Sequence, residues 1–276
     1  MSDILYKILT AKKKQVAADQ QMVPLDSLKN QIAQLPKCRN FYRTITKKNP
    51  RGVNVIAEIK RASPSAGLIR SDFDPVRLAQ TYQAAGADAI SVLTDEPFFQ
   101  GRLEFLSQVK QAVNLPVLRK DFIIDPYQIY QSRAAGADAV LLIAEVLNPA
   151  QLMDSMILAN SLTLTVLLEV HQLDSLLQVR SLIGWPQPCY SLLGINNRNL
   201  KTMEVDLANS IRLSQFVENK NELVSESGVT ERPDVERLID AGFCGILIGE
   251  TLMRSSNIEA KFAELFGSAG ETDYGE

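Results

Sequence analysis

Short apolar runs rich in Val, Ile and Leu recur along the chain, near residues 54–60, 89–93, 116–120, 139–143, 164–169, 191–196, 222–226 and 244–249. Each is long enough for a buried β-strand and too short for a helix. Between and after them lie segments with helical spacing, near 75–85, 102–113, 126–135, 149–160, 172–182, 207–217, 231–240 and 257–266. Eight β units, each followed by an α unit, predict an α/β fold with a parallel sheet. Eight is also the number that closes such a sheet into a (β/α)8 barrel, the TIM barrel. The first residues read differently: Ile4, Leu5, Ile8, Leu9 and Val16 fall at amphipathic helical spacing, and a second helix is expected from about Leu25 to Leu35, after Pro24. The organisation expected is an N-terminal helical extension over 1–48 of the same domain, a barrel over 49–267 and a polar tail over 268–276.

A weak internal repeat supports the alternation. Ala84-Ala85-Gly86-Ala87-Asp88-Ala89-Ile90 recurs as Ala134-Ala135-Gly136-Ala137-Asp138-Ala139-Val140, with a worn copy at Asp240-Ala241-Gly242-Phe243-Cys244-Gly245-Ile246. In each, the glycine suits a helix C-terminus and a strand follows at once, so the motif marks helix-to-strand joints on the stable face of the barrel.

Polar residues break the apolar runs at one end. In Val55-Ile56-Ala57-Glu58-Ile59-Lys60 the two charges lie two residues apart and share a strand face, and Ser63-Pro64-Ser65-Ala66-Gly67 reads as the turn that stops the strand. Lys120, Glu169, Asn196 and Glu226 end or follow the third, fifth, sixth and seventh runs. Polar groups gathered at strand C-termini describe the mouth of a parallel barrel, where active sites sit. Charge there costs several kcal/mol unless paired or used. Glu58 is therefore expected to compensate Lys60, and Glu169 to compensate Lys120. Two lysines in one enclosed mouth should each hold a proton less readily, with pKa values moved down toward the range of acid catalysis. An ion-pair network that merely supports the fold would not explain why all these residues share one end.

Glu226-Ser227-Gly228 after the seventh run and Ile248-Gly249-Glu250 at the eighth occupy the ordinal positions where barrels bind phosphate, with glycines that let an anion approach backbone N–H groups. The Glu250 carboxylate must then turn away from the anion. Phe98, Phe99, Phe122, Leu200 and Met203 also follow strand ends and would suit a flat apolar ligand.

Composition narrows the function classes. The 276 residues are 46% hydrophobic and 22% charged, as in a globular protein, and a net charge of −3 gives no electrostatic footprint for nucleic acid. No run has membrane-span length and the N-terminus lacks a signal-peptide core, so neither a membrane nor secretion is expected. Cys38, Cys189 and Cys244 are widely spaced and in no CxxC arrangement, which fits structural thiols in a reducing cytoplasm. His171 is the only histidine. That excludes histidine-rich metal sites, and His171 itself reads as a loop residue just past a strand rather than a catalytic base.

Five blocks, in order, resemble the indole-3-glycerol phosphate synthase family: Ile56-Ala57-Glu58-Ile59-Lys60-Arg61-Ala62-Ser63-Pro64-Ser65, Ser91-Val92-Leu93-Thr94-Asp95-Glu96, Leu118-Arg119-Lys120-Asp121-Phe122-Ile123-Ile124-Asp125, Gly194-Ile195-Asn196-Asn197-Arg198-Asn199-Leu200 and Val224-Ser225-Glu226-Ser227-Gly228. The likeness runs from the N-terminal helices to Leu252-Met253-Arg254 and departs at no catalytic position, although some members carry serine where this chain has Glu250. It implies the substrate 1-(2-carboxyphenylamino)-1-deoxyribulose 5-phosphate, closed to indole-3-glycerol phosphate with loss of carbon dioxide and water. It further implies Lys120 as the acid for ring closure, Lys60 and Glu58 as acid and base for dehydration, and Glu169 as the carboxylate that stabilises the iminium-like intermediate. Asn196 and Arg198 would orient the substrate. Ser63, Ser227, Gly228, Gly249 and Glu250, with Glu226 at the base of its loop, would surround the phosphate, while Phe122, Leu141, Leu200 and Met203 flank the anthranilate ring. No metal or organic cofactor is called for, and no obligatory protein partner is evident; in the family the N-terminal extension covers the mouth. The competing readings are an isomerase of phosphoribosyl anthranilate, which would want a carboxylate and a thiol rather than two lysines, and a non-catalytic ligand-binding barrel, of which loss of a mouth lysine would be the sign.

Overall fold

The computed structural model describes residues 3–200 and 202–267. The expected tail over 268–276 lies outside these. Eight parallel strands close a barrel: β1 (Asn54–Ile59), β2 (Ala89–Leu93), β3 (Val117–Lys120), β4 (Ala139–Ile143), β5 (Thr165–Val170), β6 (Ser191–Asn196), β7 (Leu223–Glu226) and β8 (Gly245–Ile248), each paired with its sequence neighbours and β8 with β1. The fold is a TIM barrel. The helices that return the chain begin where their caps dictate. Asp74, Asp125 and Asn148 each accept backbone N–H groups, and each is followed by proline at the first helical position, before Pro75–Ala85, Pro126–Ala134 and Pro149–Ser161.

Alternation along the strands sorts the core into two layers. Val55, Ala57 and Ile59 of β1 face the helices, whereas Ile56 joins Leu118, Leu141, Leu167, Leu192, Val224 and Leu247 inside the barrel. Phe41 and Ile45 of the short helix Phe41–Thr46 plug that interior at the N-terminal end, both fully buried. The repeat is structural, as its form suggests. Gly86, Gly136 and Gly242 all take positive φ where a helix ends. The aspartates do the joining: Asp88 accepts from the Val55 N–H at 3.0 Å and Asp138 from the Val117 N–H at 2.9 Å, while Arg51 and Lys110 respectively pair with them.

Three local features depart from expectation. Where a turn was expected to end β1, Ala62–Ser63 and Gly67–Leu68 pair as a small antiparallel hairpin over the mouth. A short helix, Glu250–Arg254, precedes the last one, and the helix from Leu173 stops at Val179 before a 3₁₀ turn.

The N-terminal helix α1 (Asp3–Met22) is fastened to the mouth by a buried charge. Lys12 is 1% exposed, and its ammonium reaches Asp95 at 2.8 Å, Asp121 at 2.7 Å and Gln15 at 2.9 Å, one partner for each proton. Asp121 directly follows Lys120 on the chain and also receives Arg119 at 2.9 Å and the Thr94 hydroxyl at 2.6 Å. Burial alone would raise its pKa, but Arg119 and Lys12 hold its carboxyl well below the usual range. For Asp95 the balance goes the other way: burial outweighs Lys12 and the pKa is raised. Among the described residues, no helix is long and apolar enough to cross a membrane.

Removing one member of a buried, hydrogen-bonded ion cluster costs about 3–5 kcal/mol because its partners stay buried without it. Lys12→Met is expected to lower stability by that amount in urea unfolding. The deficit should shrink as pH falls, since Asp95 can then take up a proton; a deficit independent of pH would count against the clamp.

Candidate active site

One cavity of about 780 Å³ opens at the C-terminal ends of the strands. All sixteen residues that the sequence reading singles out border it. On its floor, Glu58 from β1 accepts from Lys60, just past the strand, at 2.8 Å. Lys120, the last residue of β3, donates to Glu169 of β5 at 3.0 Å and lies 3.4 Å from Glu226 of β7. The carboxyl side chains of Glu169 and Glu226 are 3% and 1% exposed, so water cannot screen them.

That geometry reverses one expectation. The pKa of Lys120 is raised, not lowered. Burial by itself disfavours its charge, but Glu169, Glu226 and Glu58 surround the ammonium and more than offset that cost. The same field divides the two carboxyls. Burial would raise Glu169, yet Lys120 and His171 hold it down to about 2. Glu226 is driven well above its ordinary value by burial, by the charge of Glu169 and by a side-chain hydrogen bond with Glu169. The Glu169–Glu226 pair therefore titrates as a unit, and its electrostatics favour charge on Glu169 and a proton toward Glu226. Glu226 belongs with the charged floor more than with the anion loop to which the sequence assigned it.

Two glycines create the room for these groups. A Cβ on Gly194, in the middle of β6, would lie 2.2 Å from Glu226 Oε1, and one on Gly249 would lie 2.8 Å from Glu58 Oε1. Gly194 was not singled out by the sequence reading. Its signal was present, since an isolated glycine inside a strand marks a close approach. Glu58 thus occupies the space that a side chain at Gly249 would take. Gly228 has φ +94°, so a side chain there is strained whatever binds, and Val205 would stand 2.9 Å from its Cβ.

Around the rim, the Asn196 side chain accepts the Arg198 N–H at 2.9 Å. Arg198 then spans three loops, donating to Ser65 Oγ and the Met203 carbonyl, each at 3.0 Å, and lying 3.5 Å from Glu250. Glu250 does turn aside, accepting from Arg254 at 3.0 Å. Ser63, Ser227, Gly228, Gly249 and Glu250 form one wall. Phe122, Leu141, Leu200 and Met203 form an apolar one, extended by Phe99, whose ring centroid is 6.1 Å from that of Phe122. Ile4, Leu5 and Ile8 of α1 close the top; the sequence reading gave them helical periodicity but no role in the cavity. His171 follows β5, but its ring points inward with its side chain only 6% exposed, and it meets Glu169 from behind. His171 is the loop residue just past a strand that the sequence predicts, and it does not border the cavity, but its ring is engaged by two carboxyl groups.

The family model described as Indole-3-glycerol phosphate synthase matches residues 5–265 of the chain. The Indole-3-glycerol phosphate synthase of Neisseria meningitidis serogroup C is 49% identical over 267 residues, covering 96% of this chain and 100% of its own. That of Rhodopirellula baltica is 46% identical over 265 residues, covering 96% and 99%. Of solved structures, thiamine phosphate pyrophosphorylase from Pyrococcus furiosus aligns with a TM-score of 0.57 at 15% identity, over 78% of this chain and 95% of that one. The tryptophan synthase A-subunit of the same organism gives 0.56 at 13%, over 78% and 98%. At such identities the likeness is one of fold.

Two outcomes follow from the floor geometry. Gly194→Ala forces the Glu226 carboxyl aside, and misplacement of about 1 Å at a reacting site costs on the order of 100-fold in rate. We expect a loss of that size in kcat with a folded protein by circular dichroism; wild-type kcat would show that the Glu226 position is immaterial. Glu226 binds its proton more tightly folded than unfolded, so it makes stability fall as pH rises from the ordinary glutamate range through its raised pKa. Glu226→Gln should reduce that slope above the ordinary glutamate range in urea unfolding, leaving the contribution of His171, and an unchanged slope would assign the shared proton elsewhere.

Proposed function

The chain belongs to the indole-3-glycerol phosphate synthase family and closes 1-(2-carboxyphenylamino)-1-deoxyribulose 5-phosphate to indole-3-glycerol phosphate, a decarboxylating lyase step of tryptophan biosynthesis; we propose that the charged floor of the cavity divides the work as follows. The anthranilate ring lies against Phe122, Leu141, Leu200 and Met203, and the phosphate against Ser63, Ser227, Gly228, Gly249 and the backbone of Glu250. Arg198, oriented by Asn196, takes an anionic group between them.

The ring carbon that bears the carboxylate attacks the ketone. Lys120 donates a proton to the oxygen as the carbon–carbon bond forms. An ammonium held among Glu169, Glu58 and the Glu226 carboxyl is a weak acid, so the transfer depends on the developing alkoxide being a strong base. The ring is now a cationic iminium, and Glu169, kept ionised, lies on the floor to stabilise that charge. Loss of carbon dioxide returns the electron pair to the ring and discharges the cation. Lys60 then protonates the departing hydroxyl while Glu58 removes the proton that completes the indole. Their 2.8 Å contact supports a shared acid–base task. The observation that carries this reading is the position of Lys120, within 3.4 Å of both Glu169 and Glu226 at the closed end of the cavity.

We also read the enzyme as cytoplasmic and acting without an obligatory protein partner. The three cysteines, unpaired in the structure, support a reducing compartment.

The division of roles is tested by single-turnover kinetics that follow indole fluorescence and carbon dioxide together. Lys120→Met should lower kcat by about 100- to 10,000-fold with KM little changed, as for an acid used in the transition state. Lys60→Met should release carbon dioxide and accumulate an undehydrated intermediate. If the intermediate appears with the Lys120 variant and not with the Lys60 variant, the two roles must be exchanged.

A further inference from the structure

Glu169 has a second neighbour that the reaction scheme above does not use. Its Oε2 faces Lys120, and its Oε1 lies 3.3 Å from His171 Nε2. The other ring nitrogen, His171 Nδ1, is 3.1 Å from Glu145 Oε2, and the second Glu145 oxygen accepts the His171 backbone N–H at 2.8 Å. Glu145 sits in the turn after β4, and its side chain is 13% exposed. A hydrogen bond from Asn209 Nδ2 to the His171 carbonyl, 3.1 Å, fixes the same loop from the other side. Neither Glu145 nor His171 borders the cavity, so both stand behind Glu169 rather than beside the substrate.

The chemistry of the ring decides what such an arrangement means. A neutral imidazole has one donor and one acceptor. With its proton on Nδ1, toward Glu145, it would aim a lone pair at the Glu169 carboxylate. With its proton on Nε2 it would aim one at Glu145. Only the imidazolium offers an N–H to each carboxylate. His171 Nε2 has no aligned hydrogen-bond partner, so its action on Glu169 is through charge across 3.3 Å. Glu226 meets Lys120 at 3.4 Å and the Glu169 carboxyl directly, but no histidine stands behind it. The pair is therefore asymmetric: Lys120 serves both carboxyls, and His171 serves Glu169 alone.

We propose that Glu145 and His171 form an electrostatic brace behind Glu169 that keeps it the ionised member of the Glu169–Glu226 pair and leaves the proton on Glu226, at the cavity. His171 is thus a positioning residue. The inference rests on the reading that an ionised Glu169 stabilises the cationic intermediate. The titratable groups that face the imidazole are Glu145, Glu169 and, beyond it, Lys120, and they bear out the sign. Burial disfavours the imidazolium, but the two carboxylates raise the His171 pKa above its ordinary value, and Lys120 opposes them weakly. Burial likewise would raise Glu145, whose bonds from His171 bring it down.

Because His171 is the only histidine, untagged protein labelled at histidine gives a single imidazole signal, whose titration can be followed by NMR. The midpoint is expected above the ~6.5 of free histidine. It should fall in Glu145→Gln, a change that keeps size and lies outside the cavity wall. Over the same pH range, the alkaline limb of the kcat profile should move toward neutrality in Glu145→Gln, with kcat about tenfold lower per unit of displacement and KM little changed. His171→Gln should lose the limb altogether. A midpoint at or below that of free histidine, or a kcat limb that stays in place while the Glu145→Gln midpoint falls, would overturn the brace. An expected NMR response beside a Lys120→Met variant that remains active would instead leave the brace standing and overturn the catalytic assignment on which its purpose depends.

Discussion

One ammonium group, Lys120 Nζ, holds the mouth of this barrel together. It lies 3.0 Å from Glu169 and 3.4 Å from Glu226, with little access to water. Isolated charges at that depth would cost several kcal/mol each, and without Lys120 even the one negative charge of the carboxyl pair would be buried uncompensated. With it, one carboxyl stays ionised and the other stays neutral. The same feature that makes the site tolerable to the fold therefore sets a carboxylate and a carboxyl of raised pKa within 3.4 Å of the Lys120 ammonium. Gly194 and Gly249 are the steric complement of this arrangement, since any side chain at either position would occupy the volume of Glu226 or Glu58.

The floor is joined to the rest of the molecule through the strand it ends. Lys120 points into the barrel, while its neighbours Arg119 and Asp121 enter a buried network with Thr94, Asp95 and Lys12. That network is how the N-terminal helix is set over the cavity, with Leu5 and Ile8 facing down. A lid held by apolar contact alone would slide, because dispersion is not directional. A lysine held by two buried aspartates of the barrel fixes its register. The N-terminal helix above the floor and the charges on it are thus coupled through two consecutive residues, Lys120 at the end of β3 and Asp121 just past it.

Around the rim the arrangement is looser and more exposed. Arg198 links the hairpin after β1, the loop after β6 and Glu250, and Glu250 in turn is shared with Arg254. Exposed pairs of this kind contribute little to stability. They leave cationic groups near the rim that can exchange a protein carboxylate for an anionic group of the substrate.

Much of this was legible in the sequence, for reasons that are local. A two-residue period, proline and aspartate at helix starts, and glycine at helix ends are properties of neighbouring residues, so the order of strands and helices followed from them. The count of eight units and the placement of Glu58, Lys60, Lys120, Glu169, Asn196 and Glu226 at one end of their strands then brought those residues to one mouth. What the sequence did not contain is set by distance and dielectric between residues far apart in the chain. The upward direction of the Lys120 pKa depends on three carboxylates from three other strands. The partner of Lys12 is not a helix neighbour but an aspartate pair on the barrel. Gly194 reads as a weak point in a strand until Glu226 is seen against it, and His171 reads as a loop residue until its ring is found between Glu145 and Glu169. Periodicity fixes which way a side chain leaves the backbone; only the closed barrel decides which charges it meets there, and therefore which of them keep their protons.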